Sequence, residues 1–319
     1  MTDNYNSEPS LSDSDKILLE KCGLTLVNQT SAMCLAAVKK NGLALKFVKN
    51  QTPDICMEAV KNDGYALKFV KNQNRSVCYV AVRQDGLALE FVENQIDDMC
   101  LTAVYANGLA LRFVKHQKEY LCIAAVKLDG FALEFVKNQT CDICIEALTE
   151  NGLALKFVKN QTSAKCLAAV EQNGLALEFV KDQTVKICKA ALEEDSYALE
   201  FVKDQTARLC LMAVKKTGPA LEFVKDQTLR ICKAAVEDDS FALEFVKDQT
   251  ESLCLMAVEK TGRTLAFVKD KTLRICKAAV ENDDLAIQYV PEHWLECIHK
   301  KGSDDGDDNS PIGKKLKTA

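Results

Sequence analysis

The sequence has few of the residues that usually carry catalysis. Its 319 residues include three histidines, one tryptophan and five prolines, and no histidine is paired with a candidate nucleophile. The thirteen glycines are dispersed along the chain, whereas a phosphate-binding loop needs them clustered. We therefore expect no catalytic residues, no bound cofactor and no metal site, and we classify the chain as non-enzymatic.

Long apolar runs and a strong charge of one sign are missing as well. No segment approaches the length that spans a bilayer, and the N-terminus lacks the charged-then-apolar pattern of a secretion signal. The net charge is −5, whereas nucleic-acid binding needs a concentrated basic face. We expect a soluble, cytoplasmic protein without a membrane partner, and the charge argues against a nucleic-acid partner.

Cysteine, by contrast, is abundant and periodic. Of the 15 cysteines, 12 recur every 22 residues from Cys34 to Cys276 without an insertion or deletion. A fixed period of this length is typical of a repeat protein whose units contact mainly their neighbours. Equivalent residues of stacked helices lie about 8–10 Å apart, and a disulfide needs Cα atoms within about 7 Å. We therefore expect buried free thiols in a reducing compartment.

Each repeat begins four residues before its cysteine, so that repeat R1 starts at Thr30 and repeat R12 at Thr272. Position 1 is Thr or Asn in ten of the 12 repeats, and these side chains cap helix N-termini. Positions 4, 5, 8 and 9 are apolar in almost every repeat, which places one apolar stripe on a helix. The pattern predicts a first helix of about ten residues.

The second half of each repeat predicts a second, shorter helix. Position 13 is Gly in nine repeats and Ser or Asp in three, which favours a helix start, and Pro219 after Gly218 fits a first turn. The A-L-x-F-V run at positions 15–19 extends this helix to about seven or eight residues. A strand of a leucine-rich solenoid is the alternative, because positions 14–19 alternate passably. The missing L-x-x-L-x-L-x-x-N frame argues against that alternative.

A longer period overlies the first in the C-terminal half. Position 6 alternates between Leu and Lys, and position 13 alternates in step between Gly and Ser or Asp. We therefore predict an all-α fold, an extended α-solenoid of 12 tandem 22-residue two-helix repeats with a 44-residue superperiod and end caps. Position 6 should have different surroundings in odd and even repeats, because lysine and leucine do not share a packing site well.

The ends of the chain are predicted to differ from the repeats. Residues 1–16 are polar and acidic and are expected to form a disordered tail, and residues 17–29 form a degraded half-repeat that caps the first full repeat. Residues 30–293 hold the twelve repeats. Residues 294–301 form a C-terminal capping helix around the single tryptophan, and residues 302–319 form a second disordered tail that is acidic and then basic.

The repeats also resemble a known family. The pattern A-V-x-x-[ND]-G-x-A-L-x-[FY]-V, carried best by Cys34–Thr52 and Ala286–Pro291, is similar to the domain of unknown function 4116. The resemblance covers nearly all of residues 30–293, and it implies short tandem repeats whose family domain spans two of the present units. The units here are shorter than the family's, and the proline expected after F-V or Y-V occurs only at Pro291. The family brings no established activity.

Two rows of polar residues are candidates for function. Lysine at position 20 forms a candidate interaction ladder: Lys49, Lys71, Lys115, Lys137, Lys159, Lys181, Lys203, Lys225, Lys247 and Lys269. Glutamine closes ten repeats at position 22, either as a structural amide that bonds the turn backbone or as an amide row that grips an extended peptide. We favour the structural interpretation, because turn backbone groups must find partners.

Isolated motifs carry less information. Cys141-x-x-Cys144 is a single pair without a second one, so we interpret it as a chance product of the periodic cysteine. In the C-terminal tail, Ser310 before Pro311 is a candidate phosphorylation site, and Lys314–Lys317 is a candidate nuclear-entry signal. A solubilising tail is the favoured interpretation of both.

The predicted function follows from the architecture. We predict a non-enzymatic repeat scaffold that mediates protein–protein interaction with one or more protein partners. The alternative is a helical-repeat nucleic-acid binder, because helical repeats can read one base each. The acidic balance and an expected scarcity of exposed aromatic side chains count against this alternative.

Overall fold

Residues 11–299, the part of the chain that this computed structural model describes, contain α-helices and 3₁₀ helices and no β-strand. The α-helices are α1 (Asp13–Cys22), α2 (Ser31–Lys40), α3 (Pro53–Asn62), α4 (Arg75–Gln84), α5 (Asp97–Ala106), α6 (Glu119–Leu128), α7 (Cys141–Glu150), α8 (Ser163–Gln172), α9 (Val185–Glu194), α10 (Ala207–Lys216), α11 (Leu229–Asp238), α12 (Glu251–Lys260), α13 (Leu273–Asn282) and α14 (Glu292–His299). The 3₁₀ helices are η1 (Gly42–Phe47), η2 (Gly64–Phe69), η3 (Gly86–Phe91), η4 (Gly108–Phe113), η5 (Gly130–Phe135), η6 (Gly152–Phe157), η7 (Gly174–Phe179), η8 (Ser196–Phe201), η9 (Gly218–Phe223), η10 (Ser240–Phe245), η11 (Gly262–Phe267) and η12 (Asp284–Tyr289).

One α-helix and one 3₁₀ helix make up each repeat. The described chain divides into two compact units, with the boundary between Lys181 and Asp182. Within each unit, the α-helices of successive repeats pack on one another and so do the 3₁₀ helices. The predicted all-α tandem-repeat solenoid of two-helix repeats is confirmed, and the leucine-rich alternative is wrong, because no strand forms among the described residues. No helix in residues 11–299 has the length and apolar character that crossing a membrane requires.

The first helix of each repeat forms as the sequence predicts. It is ten residues long, and in R1 the Thr30 hydroxyl accepts a hydrogen bond from the Met33 N–H at 3.2 Å. Apolar side chains at positions 5, 8 and 9 are buried throughout R1 to R11, and position 4 is buried in all of these repeats but R1. The helices that begin after Ile96 and Lys118 lack a side-chain cap, and acidic residues stand in their first turns instead.

The second element is shorter and tighter than predicted. It is a 3₁₀ helix of six residues, not an α-helix of seven or eight. The Asn41 carboxamide of R1 accepts a hydrogen bond from the Leu43 N–H at 2.9 Å, and the Val48 N–H donates to the Leu45 carbonyl at 3.1 Å. The N-cap is therefore position 12, one residue before the predicted start. Residues three apart align on a 3₁₀ helix, so positions 14 and 17 share one ridge.

Glycine at position 13 is required by the neighbouring repeat. A Cβ atom on Gly42 would lie 2.4 Å from the Ala59 carbonyl oxygen and 2.9 Å from the Cβ of Asp63, both in the next repeat. This glycine has ordinary negative-φ backbone, since Gly23 is the only glycine with positive φ in the described chain. Close approach between repeats, rather than backbone freedom, therefore explains the glycine.

The 44-residue superperiod has a structural basis in residues 182–299. The Lys260 ammonium of an odd repeat donates to the Asp238 carbonyl at 2.8 Å, at the end of the preceding helix α11. The next interface is different, because there the Gly262 N–H donates to the Asn282 carboxamide at 2.7 Å. At position 6, Lys189 and Leu211 are both half-buried and Lys233 is exposed, so burial there does not follow the alternation of Lys and Leu. The hydrogen bonds that differ between odd and even repeats are made at positions 11 and 13.

The N-terminal cap begins earlier than predicted. Helix α1 starts at Asp13, because the Ser12 hydroxyl accepts from the Asp15 N–H at 3.2 Å, so the boundary expected at residue 16 is wrong. The helix ends at Gly23, whose φ of 67° is left-handed and suits glycine. Gln29 then repeats the position-22 glutamine, as expected of a half-repeat.

The C-terminal cap also starts earlier, since α14 begins at Glu292 instead of residue 294. Trp294 and Leu295 are half-buried. At the interface of R11 and R12, Lys271 stands in place of the position-22 glutamine and Pro291 in place of the position-20 lysine. The predictions for residues 1–10, residues 302–319, Ser310 and Lys314–Lys317 lie outside the described residues.

Candidate interaction surfaces

The position-20 lysines bond along each unit. The Lys71 ammonium donates to the Lys49 carbonyl at 3.0 Å, and Lys137 donates to the Lys115 carbonyl at 3.1 Å. In the second unit, Lys247 donates in the same way to the Lys225 carbonyl at 2.9 Å. These lysines are exposed, yet part of their hydrogen-bonding capacity serves the neighbouring repeat. The structure therefore gives the predicted ladder a structural role.

The position-22 glutamines are fully engaged between repeats. The Gln51 amide donates to the Phe69 carbonyl at 2.8 Å, and its oxygen accepts from the Lys71 N–H at 3.0 Å and the Cys56 thiol at 3.8 Å. The glutamines that donate to the phenylalanine carbonyl 18 residues ahead are Gln29, Gln51, Gln73, Gln95, Gln117, Gln139, Gln161, Gln183, Gln205, Gln227 and Gln249. The structural interpretation is confirmed. The amide ends that would grip a peptide are occupied by the chain itself.

The periodic cysteines are free and buried. Burial raises the pKa of the Cys144 thiol above its ordinary value, so the neutral form is favoured. Cys141 and Cys297 are exposed, whereas Cys22 is buried. Cys141 is thus exposed and Cys144 buried, although they are three residues apart. Among the described residues, no group of three or more potential metal ligands is present.

A third surface carries the exposed aromatic side chains, and we call it the 3₁₀ face. It consists of positions 14, 17 and 18 of each repeat. The position-18 phenylalanines are half-buried on it, apart from the buried Phe47, and Tyr65, Tyr197 and Phe241 at position 14 are exposed. Exposed aromatic side chains are therefore more frequent than the sequence predicts.

Aromatic residues at position 14 pair with the phenylalanine of the following repeat. These edge-to-face pairs have ring centroids 5.7–6.0 Å apart and are Tyr65–Phe91, Phe131–Phe157, Tyr197–Phe223 and Phe241–Phe267. The sequence predictions do not include these pairs, because each joins two residues 26 positions apart in different repeats. The aromatic residues at position 14 were the only feature of the sequence that could have indicated these pairs.

The charges of the 3₁₀ face differ between the units. In residues 11–181, position 17 includes cations that cover the rings: the Arg112 guanidinium lies 4.9 Å and 5.4 Å from the centroids of Phe113 and Phe135. In the second unit, position 17 carries Glu200, Glu222 and Glu244. At position 17 of these three repeats the second unit therefore presents carboxylates beside the aromatic rings, and Arg263 at position 14 is paired with Asp283.

A groove opens on the 3₁₀ face of the first unit. It has a volume of about 520 Å³ and is lined by Asp15, Leu18, Leu43, Lys46, Asp63, Tyr65, Lys68, Phe69 and Phe91. Its wall combines aromatic rings with two cations and two carboxylates. Concave surfaces of this composition are typical of binding sites.

Comparison with known families finds a match at the start of the repeat array. The model of a family described as a domain of unknown function, DUF4116, matches residues 33–75 and again residues 52–97. Each match spans about two repeats, and the second is shifted by about one repeat, as the predicted resemblance implies. No curated protein and no solved structure matches the chain.

Proposed function

We propose that this chain, whose first three repeats match a family described only as a domain of unknown function, is a non-enzymatic scaffold that binds protein partners through its 3₁₀ face. One observation carries the proposal: this face holds half-buried rings in successive repeats, with charged side chains beside them. Aromatic and arginine side chains are the residues that most often anchor protein interfaces.

The division of labour within a repeat supports this assignment. Positions 8, 15 and 22 vary little, because they form the core and the bonds between repeats. Position 14 changes among Leu, Tyr, Phe, Pro and Arg, and position 17 changes among Lys, Arg, Glu, Gln and Ala. Positions 14 and 17 of the 3₁₀ face therefore vary without disturbing the stack, as the mostly exposed position 2 of the α-helix also does. The aromatic side chains at positions 14 and 18 are what favour the 3₁₀ face as the surface that specifies a partner.

A helical-repeat nucleic-acid binder is the second candidate. Exposed lysines occupy position 20 in successive repeats at Lys115, Lys137 and Lys159, which favours contact with a row of phosphates. Their ammonium groups already donate to backbone carbonyls, and this leaves fewer donors for phosphates. We keep protein binding as the first proposal for this reason. The free thiols support a cytoplasmic location.

Site-specific photo-crosslinking in the native cell tests the proposal. A photoreactive amino acid replaces Tyr65 or Tyr197 on the 3₁₀ face, and Tyr105, an exposed tyrosine on an α-helix, serves as the matched control position. We expect discrete polypeptide adducts at residues 65 and 197 that are absent at residue 105. Nuclease-sensitive adducts would favour the nucleic-acid candidate, and equal labelling at all three positions would contradict a dedicated face.

A further inference from the structure

Two equivalent constellations stand on the 3₁₀ face of the second unit. Site A consists of Tyr197, Glu200 and Phe223, and site B consists of Phe241, Glu244 and Phe267. In each site the aromatic residue and the glutamate are three apart on one 3₁₀ helix and share a ridge. The phenylalanine of the next repeat completes the site, with ring centroids 5.9 Å apart in site A and 6.0 Å apart in site B.

The first unit contains the same constellation with a cation in place. Phe131, Glu134 and Phe157 occupy the corresponding positions, and the two ring centroids are 6.0 Å apart. The Lys156 ammonium lies 4.7 Å from the Phe131 centroid and 4.8 Å from the Phe157 centroid. An ammonium group is attracted to ring faces at this distance. The chain itself thus shows how this constellation holds a cation.

The second unit does not supply such a cation at the same position. The residue equivalent to Lys156 is Glu222 at site A and Ala266 at site B. Tyr197 is 41% exposed and Phe241 is 43% exposed, so both rings are open to a partner. Glu200 and Glu244 are exposed beside them. Arg263, in the same 3₁₀ helix as Phe267, is already paired with Asp283 at 2.8 Å. Rings and carboxylates together favour a positive charge from outside the chain.

We propose that sites A and B bind two lysine or arginine side chains of one cationic protein segment, an inference that rests on the proposed scaffold function. Carboxylates repel a phosphate backbone, so the chemistry of both sites selects a basic polypeptide. A cation seated over the rings is also attracted by the charge of the glutamate on the same ridge.

The distance between the sites sets the spacing of the two cations. Sites A and B are two repeats apart, and adjacent packed helices are about 8–10 Å apart, which gives a separation of about 16–20 Å. An extended chain advances about 3.3 Å per residue. The two basic residues should therefore be five or six residues apart in the partner.

Peptide binding to the full-length protein tests the inference. We compare fluorescent Gly/Ser peptides that carry two arginines six residues apart with peptides of equal composition in which the arginines are two residues apart. We expect the longer spacing to bind about tenfold more tightly at low salt, because it engages both sites. Equal affinity of the two peptides would overturn the inference.

Variants of the protein distinguish binding at sites A and B from non-specific attraction between opposite charges. Ala266→Lys places in site B the cation that Lys156 supplies in the first unit. The peptide with arginines six residues apart should then bind no more tightly than the peptide with arginines two residues apart. Ala266→Gln is the neutral control. Glu244→Gln should weaken binding by about three- to tenfold. Glu259→Gln, on the exposed surface of helix α12, should leave binding unchanged. An equal loss with Glu244→Gln and Glu259→Gln would overturn the inference.

Two further outcomes are decisive. If the peptide binds only after Lys315→Glu and Lys317→Glu are introduced, the chain's own basic segment occupies the sites, and the proposal of an external segment is wrong. If neither peptide binds while polypeptide adducts persist at residue 197, the cation chemistry is wrong and the scaffold function stands. If the adducts at residue 197 are lost as well, the proposed scaffold function is also wrong.

Discussion

The side-chain amide of Gln139 donates a hydrogen bond to the carbonyl oxygen of Phe157 at 2.9 Å, and this bond joins the end of one repeat to the 3₁₀ helix of the next. The oxygen of the same amide accepts from the Lys159 N–H at 3.0 Å and from the Cys144 thiol at 3.9 Å. One side chain at the end of a repeat therefore satisfies three groups of the next repeat.

Replacing this glutamine should destabilise the first unit. Gln139→Leu leaves the Phe157 carbonyl and the Lys159 N–H without their partner, and each unsatisfied group of this kind costs about 1–3 kcal/mol. We expect a lower denaturation midpoint by circular dichroism. Gln288→Leu is the matched control, because Gln288 is exposed and bonds only within its own repeat. Equal midpoints for the two variants would contradict the structural role.

The thiols should divide into two reactive classes. Cys141 and Cys297 are exposed, and the other thirteen cysteines are buried. Burial also raises the pKa of thiols such as Cys122, which lowers their thiolate fraction at mild alkaline pH. Native titration with a thiol reagent should label two cysteines rapidly, including neither Cys22 nor the periodic set. Denatured protein should label all 15, and rapid native labelling of more than two would contradict the burial.

Serine substitutions on helix α7 provide a matched pair. Cys144→Ser places a hydroxyl at a site with 0% exposure, and burying a poorly satisfied hydroxyl costs about 1–3 kcal/mol. Cys141→Ser, three residues earlier on the same helix, should change the free energy of unfolding by less than about 0.5 kcal/mol. Urea denaturation measures both. A larger effect from the exposed position would show that burial does not govern these sites.

The superperiod predicts which deletions are tolerated. Removing residues 206–249 joins R8 to R11. Lys260 then lies at the end of helix α9, where Lys216 donates a hydrogen bond to the Glu194 carbonyl in the intact chain. Removing only residues 206–227 brings Asp238 to that helix end instead, where its carboxylate meets carbonyl oxygens.

We expect the 44-residue deletion to keep a cooperative transition, and the 22-residue deletion to lose about 1–3 kcal/mol more, because a charge-assisted bond is replaced by repulsion. Chemical denaturation of both chains measures this difference. Indistinguishable curves would mean that one repeat, rather than two, is the structural unit.

The tail prediction concerns localisation. A fluorescent fusion truncated after Lys301 lacks Lys314–Lys317; the nuclear-entry hypothesis predicts that it is excluded from the nucleus more than the full chain, whereas the favoured solubilising tail predicts an unchanged distribution. Ser310→Asp should act in the same direction, because added negative charge beside the acidic run opposes a basic signal. Imaging of the three fusions in cells provides the measurement. An unchanged distribution would eliminate the nuclear-entry hypothesis.

The sequence predicts the elements that are determined within one repeat. Thr30 and its equivalents indicate where α-helices begin, and the burial of Cys144 follows from its place in the apolar stripe. The 3₁₀ geometry is less accessible, because the i→i+3 bonds of a 3₁₀ helix, such as that from the Val48 N–H to the Leu45 carbonyl, and the i→i+4 bonds of an α-helix are compatible with the same short residue pattern. Gly42 is explained only by the carbonyl of Ala59 in the next repeat.

The candidate interaction surfaces were harder to predict for the same reason. The lysine ladder is visible as a spacing, but its bonds to carbonyls 22 residues away require the stacked repeats. The pairs Tyr197–Phe223 and Phe241–Phe267 likewise form only when neighbouring repeats are placed side by side. A composition that contains few aromatic residues gave no reason to expect them together on one face.

Lys271 and Pro291 change how the last repeat is joined to the array. Elsewhere the oxygen of a position-22 glutamine accepts from a backbone N–H 20 residues ahead, as Gln249 does from Lys269 at 2.9 Å. At the last interface the acceptor is replaced by lysine, whose ammonium turns back to the Val268 carbonyl at 2.9 Å, and the donor is replaced by proline, which has no N–H. The donor and the acceptor of this hydrogen bond are therefore both missing at the interface of R11 and R12. The last repeat is therefore held to the array by the packing of α13 on α12 and of η12 on η11 without that bond, and it should be the first repeat to open when the array unfolds.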